Sequence, residues 1–207
     1  MSAREPLRVA VLLSGSGTSL ENLFEHIEQR ALPARVVVVI ASKEKAGGLA
    51  RAEQRGVPAV AIPRKRFASG AGFNDAIHAE LARHGVDLVA CLGFLSIFEP
   101  RERYRGRAIN VHPALVPAFC GKGMYGHFVH EAVLARGVKV TGATVHFMDD
   151  EYDNGPIIAQ RAIDVRDDDT PDSLAARVQA VERELVPEVI RGIAEGRVRM
   201  KGAQVVL

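Results

Sequence analysis

Short apolar runs rich in valine and isoleucine alternate with stretches of helical periodicity through the first half of this chain, and that alternation restricts the fold more than any other feature. Arg8 to Leu13 reads as a first strand. After the loop Ser14-Gly15-Ser16-Gly17, the residues Leu20, Leu23, Phe24 and Ile27 follow the i, i+3, i+4, i+7 spacing of one helix face. Val36 to Ala41 is uniformly apolar, as in a strand covered on both faces. A helix over 46–55, a short strand at Val60 to Ile62, a helix over 73–84 and a strand from Asp87 to Leu92 continue the series. Arg107 to Val111 supplies one more strand. Repeats of this kind predict an α/β fold, a Rossmann-like, doubly wound, mostly parallel sheet.

The second half changes character. A glycine-rich loop over 120–126 leads into a helix from His127 to Ala135. Two further strands, Thr141 to Met148 and Pro156 to Ile163, flank an acidic turn with Asn154-Gly155 at its tip. They are expected to be antiparallel, extending the sheet at one edge. Thr170-Pro171-Asp172 gives an N-cap, a proline at the first helical position and an acid in the first turn. The helix that follows is expected to bury Leu174, Val178, Val181, Leu185, Val189 and Ile193 and to bend at Pro187. With no internal repeat or linker, the 207 residues read as one domain, about 1–105 forming a nucleotide-binding half and about 106–207 a catalytic half.

Composition narrows the partners. A formal net charge of +2 gives no bulk attraction for nucleic acid, and 47% hydrophobic against 25% charged residues argues for a folded chain. Cys91 and Cys120 are too few for a disulfide framework, and Cys91 sits in an apolar run that predicts a buried thiol. No stretch is long and apolar enough for a membrane span, and the opening MSAREPL lacks a signal-peptide core. The cytoplasm is the expected compartment.

Two segments carry chemistry. The loop Ser14 to Ser19 joins a strand to a helix, where glycines admit an anion to backbone N–H groups and the helix dipole favours it. A plain βα turn reads the same way. The dinucleotide pattern fails because Leu20 stands where its third glycine belongs, and no Gly-Lys-Ser/Thr makes a Walker loop. A phosphate monoester suits the loop better. The second segment is Asn110-Val111-His112 at a strand end. Alternation points Asn110 and His112 the same way, offering an amide and an imidazole to an oxygen that gains charge. A satisfied strand-end histidine is the plainer alternative. Asp153 alone reads as a turn carboxylate, and Gln179 and Glu182, one turn apart, as a polar helix face. His127, His130 and His146 invite a metal, yet no carboxylate or cysteine completes a ligand set. No metal is expected.

With these segments in hand, the chain resembles the folate-dependent glycinamide ribonucleotide formyltransferase family. The matching stretches are LLSGSGTSL at 12–20, LGFLSIF at 92–98, NVHPALVP at 110–117, GATVHF at 142–147, EYDNGPII at 151–158 and ARVQAVERELVP at 176–187. The resemblance implies transfer of a formyl group from 10-formyltetrahydrofolate to the amine of glycinamide ribonucleotide, through a tetrahedral intermediate, in purine synthesis. It implies Asn110, His112 and Asp153 as the catalytic trio. Gly15, Gly17, Thr18, Ser19, Gln179 and Glu182 would hold the ribonucleotide. Leu95, Ser96, Ile97 and Phe98, with Asn110 and Asp149, Asp150, Glu151, Tyr152 and Asp153, would cradle the folate. A basic residue of better-known members falls at Gly70 here, so its interaction with folate is either absent or supplied by Arg64 or Arg66. Another falls at Ser96, and the loop after Pro117 also departs from the common form. In this reading an ionised Asp153 raises the pKa of His112, so that a protonated imidazole and Asn110 both donate to the oxyanion.

Rival readings share the chemistry or only the fold. A methionyl-tRNA formyltransferase is expected to carry a further C-terminal domain, and a formyltetrahydrofolate hydrolase a preceding regulatory one. Here the first strand begins at Arg8 and the last helix ends shortly before Leu207. A sugar-nucleotide formyltransferase and a non-catalytic nucleotide-binding module complete the set. Partners are expected to be small molecules, with the protein a monomer or homodimer.

Overall fold

The computed structural model describes residues 5–201 and 204–206. Met1 to Arg4, part of the segment read as lacking a signal core, and Leu207 lie outside the described residues. Two compact units are present, one up to Ile109 and one from Asn110 onward.

In the first unit, β1 (Leu7–Leu13), β2 (Ala34–Ala41), β3 (Ala59–Ala61) and β4 (Leu88–Cys91) run parallel, with β1 between β2 and β4. The helices α1 (Thr18–Gln29), α2 (Gly47–Gln54) and α3 (Gly70–Arg83) connect them. Val9 to Leu13 and Val38 to Ala41 are all buried, as their uniform apolarity predicts, but Val36 and Val37, expected to be covered as well, are only half-buried at the start of β2. Residues 101–104, for which the sequence pattern predicts no element, form a single-turn helix, α4 (Arg101–Tyr104), whose Tyr104 ring packs beside Phe98 and His78.

β5 (Ala108–His112) leads into the second unit. α5 (His127–Arg136) follows, then β6 (Val140–Phe147) and β7 (Ile157–Asp164), which pair antiparallel as expected, and α6 (Pro171–Ala194). The strand order of the whole sheet is β3-β2-β1-β4-β5-β6-β7, so the α/β, mostly parallel sheet with an antiparallel extension is observed. Thr170 caps α6 by accepting from Ser173 N–H at 3.2 Å, while Ser173 Oγ accepts from Thr170 N–H at 2.9 Å. α6 continues through Pro187. Its buried stripe takes in Leu174, Val178, Leu185 and Val189, then Val186 and Ile190, while Val181 and Ile193 are only half-buried. Over 24 residues a straight helix drifts around any fixed repeat, which carries the stripe sideways. A short antiparallel pair, β8 (Arg199–Lys201) and β9 (Gln204–Val206), has no counterpart among the expected elements. Among the described residues no helix is long and apolar enough to cross a membrane.

Candidate active site

The second unit gathers its polar side chains around one carboxylate. β5 ends with Asn110 and His112, and the turn between β6 and β7 brings Asp153 to both. Asn110 Nδ2 donates to Asp153 Oδ1 at 3.2 Å, and His112 Nδ1 lies 3.4 Å from Asp153 Oδ2. The trio predicted from sequence therefore converges. Asp153 holds its place at a cost: it is a non-glycine residue at φ 52°, in the left-handed region. Two features sustain that conformation. A Cβ on Gly155 would stand 1.9 Å from the Phe147 carbonyl oxygen, so only glycine lets the turn close there. Asp149 folds the turn on itself, its carboxylate accepting from Glu151 N–H at 3.0 Å and from Asn154 Nδ2 at 2.8 Å. Asp150, Glu151 and Tyr152 are exposed along it.

The donor and acceptor roles can be assigned from the partners. His146 Nδ1 lies 2.8 Å from the Phe147 carbonyl oxygen, which only accepts, so Nδ1 carries a proton. His146 Nε2 lies 3.2 Å from Asn110 Nδ2 and 3.6 Å from Asp153 Oδ1, so it accepts from the amide when the ring is neutral and donates to the carboxylate when the ring is protonated. With the His146 ring neutral, both amide protons of Asn110 are committed, one to Asp153 and one to His146. Its Oδ1 is the atom without a hydrogen bond among the described residues. His112 Nε2 lies 2.8 Å from the Phe119 carbonyl, which fixes a proton there. Its Nδ1 approach to Asp153, at 3.4 Å, is too long for a charge-assisted bond.

Titration follows the geometry and corrects one expectation. Burial holds the His112 imidazole below its ordinary value, outweighing the upward pull of Asp153 and of the Phe119 carbonyl, with His146 adding to the depression. The resting ring is neutral with its proton on Nε2, in place of the cation that Asp153 was expected to induce. Asp153 behaves in the opposite sense. Burial pushes its carboxyl up, but the His146 hydrogen bond, the His112 interaction and the Gly121 N–H at 3.0 Å outweigh it and keep the group below the usual carboxylate range. An ionised acid faces the lone pair of a neutral base. A proton arriving at Nδ1 would meet a waiting countercharge.

The loop after β5 is tied into this cluster. Val116 N–H donates to Thr144 Oγ1 at 3.0 Å, Thr144 Oγ1 donates to the Ala114 carbonyl at 2.7 Å, and Gln160 Nε2 donates to the Val116 carbonyl at 2.9 Å. The Val116–Pro117 bond is cis. Phe119 and Gly121 then reach His112 and Asp153. The three histidines that invited a metal do not converge. His127 pairs with Asp172 at 3.2 Å, His146 belongs to the network above, and no set of three metal-ligating side chains is found among the described residues.

On α6, Gln179 is exposed and Glu182 half-buried. Glu182 makes no hydrogen bond or ion pair among the described residues, and burial pushes its carboxyl up to about 7.

In the first unit the loop from Ser14 opens α1. Gly17 is the N-cap at φ 77°, and no side chain caps the helix, which leaves the first N–H groups, those of Thr18 and Ser19 included, without a side-chain acceptor. A Cβ on Gly17 would meet Gly48 Cα at 2.5 Å, whereas Gly15 faces open space. Arg51, which the motifs do not single out, holds the loop from α2 by donating to the Ser16 carbonyl at 2.9 Å, and it also donates to Glu21 at 3.3 Å. Its only signal in the sequence is a basic residue on a helix after β2.

The segment after β4 is apolar and partly outward. Leu95 is 53% exposed and Ile97 38%, Ser96 is half-buried, and the Phe98 ring is buried against His78. Asn74 anchors the segment by accepting from Glu99 N–H at 2.9 Å. Gly70 starts α3 and brings no charge. Arg64 lies over the Phe73 ring at 5.7 Å and donates to the Phe67 carbonyl, while Arg66 pairs with Glu44 at 2.8 Å.

Comparison with known proteins adds an independent result. Residues 7–190 match the family model described as formyl transferase, a stretch running through both units. The chain is 37% identical to the chloroplastic phosphoribosylglycinamide formyltransferase of Arabidopsis thaliana, over 97% of this chain and 70% of that one. It is also 37% identical to part of the trifunctional purine biosynthetic protein adenosine-3 of Bos taurus, over 93% of this chain but only 19% of that longer protein. Among solved structures, glycinamide ribonucleotide transformylase 1 from Symbiobacterium toebii matches with a TM-score of 0.91 and 37% identity, covering 99% of this chain and 95% of that one.

Proposed function

The chain belongs to the formyl transferase family, and from that premise we propose that it moves the formyl group of 10-formyltetrahydrofolate onto the amine of glycinamide ribonucleotide. The observation that carries this reading is the ionised Asp153 approached by both Asn110 and a neutral, buried His112. The amine attacks the formyl carbon, and the carbonyl oxygen takes up negative charge as the tetrahedral intermediate forms. The attacking nitrogen must then lose a proton and the folate nitrogen gain one. His112 Nδ1 is the base with the right protonation state, and Asp153 stabilises the imidazolium it becomes. Asn110 faces the reacting atoms with its Oδ1, an acceptor that aligns the amine. Donation from its amide to the oxyanion requires the bond to His146 or to Asp153 to be exchanged when substrate enters.

The remaining assignments follow the same reading. Gly15, Gly17, Thr18 and Ser19 hold the phosphate at the uncapped start of α1. Gln179 and Glu182 take the rest of the ribonucleotide, a protonated Glu182 being able to donate as well as accept. Leu95 to Phe98 and Asp149 to Asp153 receive the folate ring. Both thiols are free, in keeping with a reducing cytoplasm. The absorbance change on loss of the formyl group from 10-formyltetrahydrofolate tests the proposal. Turnover that depends on glycinamide ribonucleotide is expected. Equal turnover without that amine would identify a hydrolase, and none with it would end the reading.

A further inference from the structure

Two serine hydroxyls and one backbone amide link the segments that follow three adjacent parallel strands in the first unit. Ser14 follows β1 and is 2% exposed, and Ser42 follows β2 and is 6% exposed. Their Oγ atoms are 2.6 Å apart. Ser14 Oγ also accepts from the backbone N–H of Leu95, beyond β4, at 2.8 Å across 81 residues of sequence. The backbone runs alongside, with Ser14 N–H donating to the Gly93 carbonyl at 2.9 Å and Ser42 N–H to the Leu13 carbonyl at 3.0 Å. Since Ser14 Oγ accepts from Leu95, its own proton is available to Ser42 Oγ.

We propose that Ser14 is a positioning residue that couples occupancy of the 14–19 loop to the conformation of the 94–98 segment, so that phosphate-bearing substrate and folate bind cooperatively. The inference rests on the formyl-transfer reading, which assigns those two segments to the two substrates. Ser14 is the first residue of the loop that closes on an anion, and its hydroxyl holds the backbone of the segment that meets the pterin. Any shift of the loop moves the acceptor of the Leu95 N–H. Leu95 and Ile97 present apolar surface outward at that point, so a change in their backbone alters the face offered to an aromatic ring. Coupling of this kind is reciprocal: the ribonucleotide tightens folate by the factor with which folate tightens the ribonucleotide.

Calorimetry with tetrahydrofolate, which has no formyl group to transfer, measures the coupling directly in the presence and absence of glycinamide ribonucleotide. In the unmodified protein the ribonucleotide should tighten tetrahydrofolate about fivefold or more. Ser14→Ala should weaken tetrahydrofolate alone roughly three- to tenfold, the effect of removing one hydrogen bond, and bring the coupling factor to about one. In turnover it should raise KM for 10-formyltetrahydrofolate by a similar factor, with kcat changed less than about threefold. A merely structural role would lower the amount of active protein and leave KM and the coupling factor where they were. Should Ser14→Ala not fold, Ser42→Ala decides. That variant keeps the bond to Leu95 but removes the hydroxyl partner of Ser14 Oγ, and should forfeit part of the coupling. Full coupling in whichever variant folds, or none in the unmodified protein, overturns the proposal. Failure of the functional reading shows separately, as absence of ribonucleotide-dependent formyl transfer in the unmodified protein.

Discussion

The two units finish their strands with opposite chemistries. At the tips of β1, β2 and β4 the polar groups are hydroxyls and backbone amides, Ser14, Ser42 and Leu95, none of which titrates near neutrality. Past β5 and β6 two imidazoles and a carboxylate are packed around an amide, and burial and neighbouring groups together displace His112 and Asp153 from their ordinary values. The first arrangement can hold a charged ligand without changing its own protonation. The second is poised to exchange a proton. On the proposed reading, binding and chemistry are built from different materials.

Truncation in the titrating cluster should break that contrast most sharply. Asn110→Ala and His112→Ala are each expected to lower kcat by on the order of 10²–10³ while KM for either substrate moves only a few-fold. Steady-state kinetics on the purified variants decide it, and near-normal turnover in His112→Ala would remove the imidazole from the chemistry.

Acidity gives the next largest effect. His112 must be neutral to accept a proton, and its pKa in the fold lies below the ordinary value. The rate should stay level down to about pH 6.5 and then fall toward tenfold per pH unit below the depressed pKa. Stability shares the direction. With the folded pKa below the unfolded one, the unfolded chain protonates first as pH drops, and stability present above about 6.5 is lost on acidification. Phosphate-loop binding between pH 7 and 9 should be flat by comparison. A rate that rises as pH falls from 7 to 6 would show the cation to be the working form.

Glu182 sharpens the comparison in the other sense. Its carboxyl is raised from 4.5 to about 7, so the fold favours the neutral acid. The unfolded chain releases that proton first, and stability is lost as pH rises from about 4.5 to about 7 and stays lost above. Glu182→Gln, neutral at every pH, should raise Tm at pH 8 by about 2–4 °C per kcal/mol recovered and leave it unchanged at pH 4. Thermal melts at the two pH values test this, and equal shifts at both would sink it.

The smallest change belongs to a site with no titration at all. Thr170→Ala removes the cap of α6 and should cost about 1 kcal/mol, or about 2–4 °C in Tm, with kcat unaltered. A loss of turnover matching that of His112→Ala would mean that α6 contributes more than packing.

Much of this is legible in the residues. Uniformly apolar runs announce buried parallel strands, and Thr170-Pro171-Asp172 announces the start of α6 because capping is local chemistry. Strand alternation sets Asn110 and His112 on one face of β5, whereas Asp153 joins them in the sequence only through the family resemblance. What stays hidden depends on distant atoms. Neither the neutral state of His112 nor the orientation of the Asn110 amide can be read from β5, since one follows from the Phe119 carbonyl and the depth of burial, the other from His146, 36 residues on. Ser14 looks like one more loop serine until the fold brings Leu95 to it. The single turn of α4 and the β8–β9 pair carry too few residues to show a period.

The double commitment of the Asn110 amide also bears on which replacements the protein can survive. Aspartate has nearly the same outline, yet it would set a second anion against Asp153 with no hydrogen to offer, and His146 Nε2 would be stranded between two acceptors. A swap of one terminal nitrogen for oxygen should therefore cost far more than its near-identical outline suggests.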